Sequence, residues 1–572
     1  MEACSQYVSR KAASAQKHLT SIDAWKLEKT PSAFTPEGQA SNYDMEPVPR
    51  ELWTWSTSTF IAYWMSDLLG VTGWTTVSSF MVLGLNWWES VLAVFVGGVA
   101  LGVVLSVNAL IGARLHTPFA ITARSVYGYY FSYFPVVSRM IIGWFWFSIN
   151  TYQGGLGVGQ LIQAIWPSYA RLPNHLSPSS GLTSYSFLNF FLFWVVQLPF
   201  IFIHPSRLRP LFLAKNIAVP ITAIATMAWA VHRAGGQASE ILAAKPTMSG
   251  LPMWFAFMSA VTSSMGSLST MACNIGDFSR YSKKPAGAYL QIVIMPVTWS
   301  LISVIGAIGS QCTSVMYGQI LWQPFDIIAK WQSSPGGRAA AFFASIAWII
   351  GNIGSNITAN SISAANDLTT LFPKYINIYR GQWVAATIGV FGFAPWKVLE
   401  SASNLLSFMN SYSIILAPMA AILSADYVFV KKSKIDVPEL YNRARGIYRF
   451  KGGFNWRAAV ALVCAIGPNM PGMVNAINPA VKIGGAKYVY AIADIFGMTV
   501  GASVHVALSK MFPDKRSVID YNLTAEAALL QHGAATELDK DLDGDLEFSL
   551  EAEKGLSEKD KMHDAESFTS AA

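Results

Sequence analysis

The run Trp144-Phe145-Trp146-Phe147-Ser148-Ile149-Asn150-Thr151-Tyr152-Gln153-Gly154-Gly155 sets aromatics and amides inside an apolar stretch long enough to span a bilayer. At about 3.6 residues per turn, Trp146, Asn150 and Gln153 share one helix face. An indole offers a flat stacking surface, and a carboxamide one turn away offers both a donor and an acceptor. That pairing fits a small, flat, uncharged ligand with amide-like edges, such as a nucleobase. Polar groups are costly in hydrocarbon, so such a stripe faces a cavity or a neighbouring helix.

A second amide-rich stretch runs from Gly351 to Ser363. Asn356 and Asn360 lie one turn apart on one face, which Ser363 extends. Helix–helix hydrogen bonding, worth about 0.6 kcal/mol each, could account for isolated asparagines. Two asparagines, two serines and a threonine within a few residues exceed what packing needs, so a site is expected here. Asn356-Ile357-Thr358 reads as a glycosylation sequon, but its place inside a span argues against that use.

Charged residues in or near the spans are few: Asp67, Glu89, Asp326, Glu400, Asp426 and Asp494. Asp67 sits at an interruption in the first span. It could bind a proton or neutralise a cation there, or cap the second half of a broken helix. Asp426 is expected to pair with Lys431 at the cytoplasmic end of span ten, and His204 and His232 to lie at span ends. Trp144 faces away from Trp146 and is expected against lipid or packed.

The elements that must hold these groups follow from composition. The 572 residues are 52% hydrophobic and only 13% charged, against about 25% charged in a soluble protein. Between Trp53 and Met511 about twelve apolar runs reach the ~20 residues needed to cross a bilayer. They begin near Ser56, Glu89, Val136, Phe187, Leu211, Trp254, Leu290, Ala341, Trp383, Ala402, Trp456 and Tyr488. This describes an all-α polytopic membrane protein: an N-terminal cytosolic tail over 1–52, a core over 53–512 and an acidic C-terminal tail over 513–572. With the N-terminus inside, nineteen lysines and arginines fall in inner loops, Lys215 and Arg139 among them, against eight in outer loops. Both termini are therefore expected in the cytoplasm. The net charge of +7 is explained by those loops and calls for no nucleic-acid partner.

Enzyme signatures are absent: no HExxH, Walker loop, GxSxG or paired CxxC occurs. The four cysteines have no metal-ligand spacing. No cofactor or metal is expected, and no ATP-driven pump. The run Asp539–Gly544 begins like an EF-hand loop but has Leu550 where the bidentate glutamate belongs, so it reads as a solvated acidic tail. Lys540 and Lys554 could accept ubiquitin from endocytic machinery.

Span one is interrupted at Ser66–Gly73 and span six at Ser263–Thr270. These are matching positions of two five-helix units, as in inverted-repeat transporters with broken helices. The other reading is close helix packing, which Gly98, Gly102 and Gly155 to Gly159 are expected to permit.

Several ordered blocks resemble the nucleobase–cation symporter family, in its fungal branch of uracil, uridine and allantoin permeases. They include Ile162–Pro167, Leu172-Pro173-Asn174, Phe200–Pro205, Asn274–Tyr281, Ser355–Ser361 and Leu371–Ile378. The resemblance covers most of residues 50–515. It implies ten LeuT-type helices plus two more, working by alternating access. It also implies Trp146 as the stacking residue, with Asn150 in the place of a ring-binding glutamine. Asn356 and Asn360 would then be substrate asparagines, and Gly351, Gly354 and Ser355 would lie at the cation corner.

Three departures stand out. Asn150 is one methylene shorter than glutamine, Leu268 replaces a second stacking aromatic, and Gly354 has no hydroxyl for sodium. The last favours a proton over sodium as coupling ion. The expected protein is a plasma-membrane, proton-coupled importer of uracil, allantoin, uridine or a similar heterocycle. A carrier of thiamine, nicotinamide riboside or pyridoxine, a passive facilitator and a non-transporting nutrient sensor are the alternatives.

Overall fold

The computed structural model describes residues 20–28, 41–203, 209–235 and 247–528, together with Ser239 and Ala243. His204, Arg207, Lys245, Lys540, Lys554 and the Asp539–Gly544 run lie outside the described residues. Helices account for all twelve spans. Span one is Thr57–Leu68 plus Val71–Val82, span two Trp87–Leu115, span three Tyr133–Ile165 and span four Ser184–Phe202. Span five is Arg209–Ala234, span six Gly250–Asn274 and span seven Ala286–Tyr317. Span eight joins Pro335–Ser355, a π-helical turn Asn356–Ile362 and Ser363–Leu371; span nine begins at Ile378. Span ten starts at Ala402, span eleven at Trp456, and span twelve ends in Ala493–Met511.

Among the described residues, seven spans (two, four, five, seven, eight, ten and eleven) are long and apolar enough on their own to cross a membrane. Of the other five, span one is split, spans three and six carry the polar stripes, and nine and twelve are short or interrupted. The polarity that weakens spans one, three and six as membrane signals is the polarity that builds the site.

Exchanging each span with the one five places later maps the packing onto itself. Span one lies on seven as six lies on two; three lies on four as eight lies on nine; five lies on seven as ten lies on two. That is the signature of two five-helix units related by a two-fold axis, with spans eleven and twelve outside the repeat. The glycines do serve packing: a Cβ on Gly98 would sit 3.0 Å from Pro296 of span seven, and one on Gly155 would sit 2.8 Å from the Phe190 nitrogen of span four.

Span one is broken at Leu69 and Gly70, where the backbone turns extended. Asp67 belongs to the last turn of the first half, and Gly70 occupies the N-cap of the second, so Asp67 is no cap. Span six differs from the sequence expectation: it is one uninterrupted helix. Ser264 and Ser267 turn their hydroxyls back on their own helix, to the Val261 carbonyl at 2.8 Å and to that of Ser264 at 2.8 Å, while Ser263 donates to Asn410 Oδ1 of span ten at 2.8 Å. Polar demand is met within the helix and by span ten, and no unwinding is needed.

Contacts with the core also cross the expected tail boundaries at residues 52 and 513. Met45 is fully buried, and its carbonyl accepts from the Tyr441 hydroxyl at 2.8 Å. Leu523 pairs through its backbone with Ile435 and Val437. Met45 and Val48 in one segment and Ser517 and Ala525 in the other are buried, so both segments are anchored on the rest of the protein, while Leu52, Val518 and Tyr521 stay exposed.

Candidate functional site

A cavity of about 60 Å³ lies at the break in span one, between spans one, three, six, seven and eight. Trp146, Asn150, Leu268, Asn360, Asp67 and Ser355 all line it. The Trp146 indole is fixed from behind: its Nε1 donates to the Tyr412 hydroxyl at 2.9 Å, and that hydroxyl donates to the Gly266 carbonyl at 2.7 Å. A ring so held presents a set plane for stacking. Asn150 Oδ1 accepts from the Thr72 hydroxyl at 3.3 Å, which leaves its amide NH₂ as the group to offer a ligand. Leu268 supplies an apolar wall, and Trp299 of span seven brings a second indole to the cavity. Trp144 packs against Gly389 of span nine.

Span eight separates its two asparagines. Asn356 is fully buried and outside the cavity. Its Nδ2 reaches the Phe147 carbonyl at 3.2 Å, the Thr151 hydroxyl at 3.1 Å and Gln197 Oε1 at 3.0 Å. Its Oδ1 accepts from Asn360 Nδ2 at 3.0 Å. Asn356 therefore ties spans three, four and eight together and orients Asn360, whose Oδ1 is left as an acceptor. The π turn over Asn356–Ile362 is the cause. A wider turn rotates less per residue, so Asn360 swings back to the cavity-facing side that Asn352 shares, while Asn356 faces spans three and four. Gly351 and Gly354 do not line the cavity; a Cβ on either would strike span five, at Val219 and Lys215.

Lys215 is the residue that the sequence reading misplaced. Counted there as an inner-loop charge, it lies inside span five, is 1% exposed, and donates from Nζ to Ser355 Oγ at 2.6 Å. Gly354 gives it room, since a Cβ there would come within 2.8 Å of Lys215 Cδ. Ser355 Oγ in turn lies 3.8 Å from where a Cβ on Gly70 would be. An ammonium thus stands between the break in span one and the hydroxyl of span eight. Asp67 Oδ1, buried nearby, has no hydrogen-bond partner among the described residues. Apart from Asn216, the residues flanking Lys215 in Leu211-Phe212-Leu213-Ala214-Lys215-Asn216-Ile217 are apolar, and that was the available signal.

Comparison with known proteins places this geometry. The model of a family described as permease for cytosine/purines, uracil, thiamine, allantoin matches residues 47–495. The chain belongs to this permease family. It is 30% identical to the uracil permease of Saccharomyces cerevisiae over 82% of this chain and 76% of that one. It is equally similar to the allantoin permease of the same yeast, again 30% over 82% and 76%. In structure it resembles Mhp1, a nucleobase-cation-symport-1 family transporter in a closed conformation with bromovinylhydantoin bound. The TM-score is 0.64 at 20% identity, covering 83% of this chain and 98% of that one. The likeness shows that the permease has the LeuT-like fold; it is an integral membrane transporter.

Below the cavity the permease is closed by a buried polar cluster. Arg139 of span three ion-pairs with Asp367 of span eight, both at most 1% exposed, and also donates to the Ser363 carbonyl at 2.5 Å. Asn274 hydrogen-bonds the Ser363 hydroxyl at 2.7 Å, and Asp277 accepts from the Phe119 N–H at 2.8 Å. The Asn274–Tyr281 block that carried much of the resemblance therefore seals spans six, three and eight to one another. Arg139, read from sequence as a loop charge, is a span residue. Asp426 does pair with Lys431, and the pair extends to His505 of span twelve at 2.9 Å.

Proposed function

We propose that the permease imports a small planar heterocycle with adjacent carbonyl and N–H groups, of the nucleobase, uridine or allantoin kind, by proton-coupled alternating access. The observation that carries this is the joint placement of Trp146, Asn150 and Asn360 at one cavity. The ring stacks on Trp146, the Asn150 NH₂ meets a ring carbonyl, and Asn360 Oδ1 accepts from a ring N–H. A lactam or ureide edge has that donor–acceptor pair. The names of the yeast relatives, uracil permease and allantoin permease, agree with it.

Lys215 supports the proton as coupling ion. Its ammonium occupies the corner between the span-one break and Ser355 where a sodium ion would need oxygen ligands, and a buried positive charge there repels a second cation. Gain and loss of a proton by the Lys215 and Asp67 pair would supply the cation's role. Proton and substrate would bind together to the outward-open form, and closure over both would shift the population inward. The chain would act in the plasma membrane with both termini cytoplasmic.

The test is uptake of labelled uracil, allantoin, uridine, thiamine and cytosine in cells lacking their own carriers, with a protonophore or with sodium replaced. Accumulation that a protonophore collapses and sodium replacement spares is the expected result. Accumulation that follows sodium would overturn the coupling, and a surface-resident protein that accumulates none of them would overturn the import reading.

A further inference from the structure

The cavity does not end at the ring-binding groups. Asn352 and Thr76 also line it. Asn352 Nδ2 and Thr76 Oγ1 are buried, with their residues 3% and 1% exposed, and neither atom has a hydrogen-bond partner among the described residues. Gln153 Oε1, 1% exposed, is likewise without one. Spans three and eight run antiparallel. Gly157 approaches Ile349 within 3.2 Å of its Cβ position, and Asn356 bonds Thr151 at 3.1 Å. That register sets Gln153 opposite Ile353 and Gly354, off the cavity lining. Two unpaired polar groups therefore face the cavity from spans one and eight, Thr76 one turn beyond the Thr72 that bonds Asn150, and Asn352 two turns from Asn360. Each turn rises about 5.4 Å, so the distance is that of a ring plus its substituent. Buried polar groups left unpaired are costly, and a pair of them at a cavity calls for a ligand that satisfies them.

We propose that Asn352 and Thr76 form a second subsite that binds a hydrogen-bonding substituent on the ring. The preferred substrate is then a heterocycle carrying a hydroxyl-bearing or ureido group, and not the bare ring. This rests on the heterocycle reading above. Asn352 donates and Thr76 donates or accepts, which matches a hydroxyl or a urea, each of them donor and acceptor at once. A bare uracil or hydantoin spends its polar edges on Asn150 and Asn360 and leaves the subsite unfilled. The short Asn150 side chain and the Leu268 wall leave room for the extra atoms.

The experiment compares two matched pairs in carrier-free cells: uridine with uracil, and allantoin with hydantoin. The expected result is a KM at least tenfold lower for the substituted member of one pair, and the preferred pair tells a sugar hydroxyl from a ureido group. Thr76→Val, nearly isosteric, and Asn352→Ala should each raise that KM at least fivefold more than the KM of the bare ring, at equal surface level. Bare rings favoured in both pairs, or variants that shift both members alike, would overturn the subsite and leave ordered water as its occupant. Accumulation of none of the four would overturn the heterocycle reading and the subsite together.

Discussion

Lys215 Nζ donates to Ser355 Oγ at 2.6 Å, tying span five to span eight beside the break in span one. The contact joins the two repeats at the corner where coupling is expected. Lys215→Met keeps the length and removes the charge. Protonophore-sensitive accumulation should fall at least tenfold, while exchange of labelled for unlabelled substrate across equal concentrations persists. Accumulation at the wild-type level, read at matched surface abundance, would remove Lys215 from the coupling.

In the proposed site one Trp146 ring would both stack on the substrate and hydrogen-bond Tyr412, the bond being present at 2.9 Å. Trp146→Ala should abolish uptake with surface level unchanged. Trp146→Phe retains a stacking face and loses the bond, so KM should rise about tenfold, as the loss of roughly 1.4 kcal/mol implies. Tyr412→Phe should produce a smaller rise in KM, because the indole loses its anchor and keeps its face. Normal uptake by Trp146→Ala would dislodge the site from this cavity.

Asn356 and Asn360, four residues apart, should fail differently. Asn356→Ala leaves Gln197 and Thr151 with a lost partner in the interior, at a cost of about 1–3 kcal/mol, and the loss should show as reduced surface protein and lower thermal stability in detergent. Asn360→Ala should reach the surface normally and raise the substrate KM at least tenfold. Identical behaviour of the two in a fluorescence-based stability assay would contradict the division of labour made by the π turn.

The Arg139–Asp367 pair is buried and bonded to Ser363. Removing one partner strands the other charge, costing about 3–5 kcal/mol. Arg139→Leu or Asp367→Leu alone should prevent export from the endoplasmic reticulum. The double replacement should recover part of the loss, because Asp367 and Arg139 no longer strand each other and only Asp277, held by the Phe119 N–H, loses a neighbouring charge. A double variant as unstable as the single ones would show that the ion pair itself is indispensable.

His116 stacks on Trp53 at 3.6 Å, with Nδ1 2.7 Å from the Arg280 carbonyl. Burial holds its imidazole below the usual value, against the pull of that carbonyl and of Glu526. A lowered base pKa means that the packed form binds fewer protons than the released form. Its contribution is complete above the unperturbed range near about 6.5 and is lost as pH falls towards the lowered value. Protease cleavage around residues 41–53 should therefore rise on acidification, and His116→Phe should flatten that dependence.

Hydropathy and periodicity are local properties, so the sequence by itself determined twelve spans, the break near Gly70 and the Trp146–Asn150 face. Polarity in an apolar run also pointed to Asn360, because such a side chain has few places to go, and the family resemblance pointed to Leu268; both line the cavity. Partners hundreds of residues away were beyond it. Lys215 looked like a loop charge until Ser355, 140 positions later, was seen to receive its ammonium, and Arg139 until Asp367 was found opposite. Span six looked broken because a serine run is polar, but hydroxyl bonds to its own carbonyls kept it helical. Asn356 and Asn360 looked equivalent at helical spacing. Only the tertiary structure separated them, because a π turn is imposed by packing between spans and is not encoded in the spacing of two asparagines.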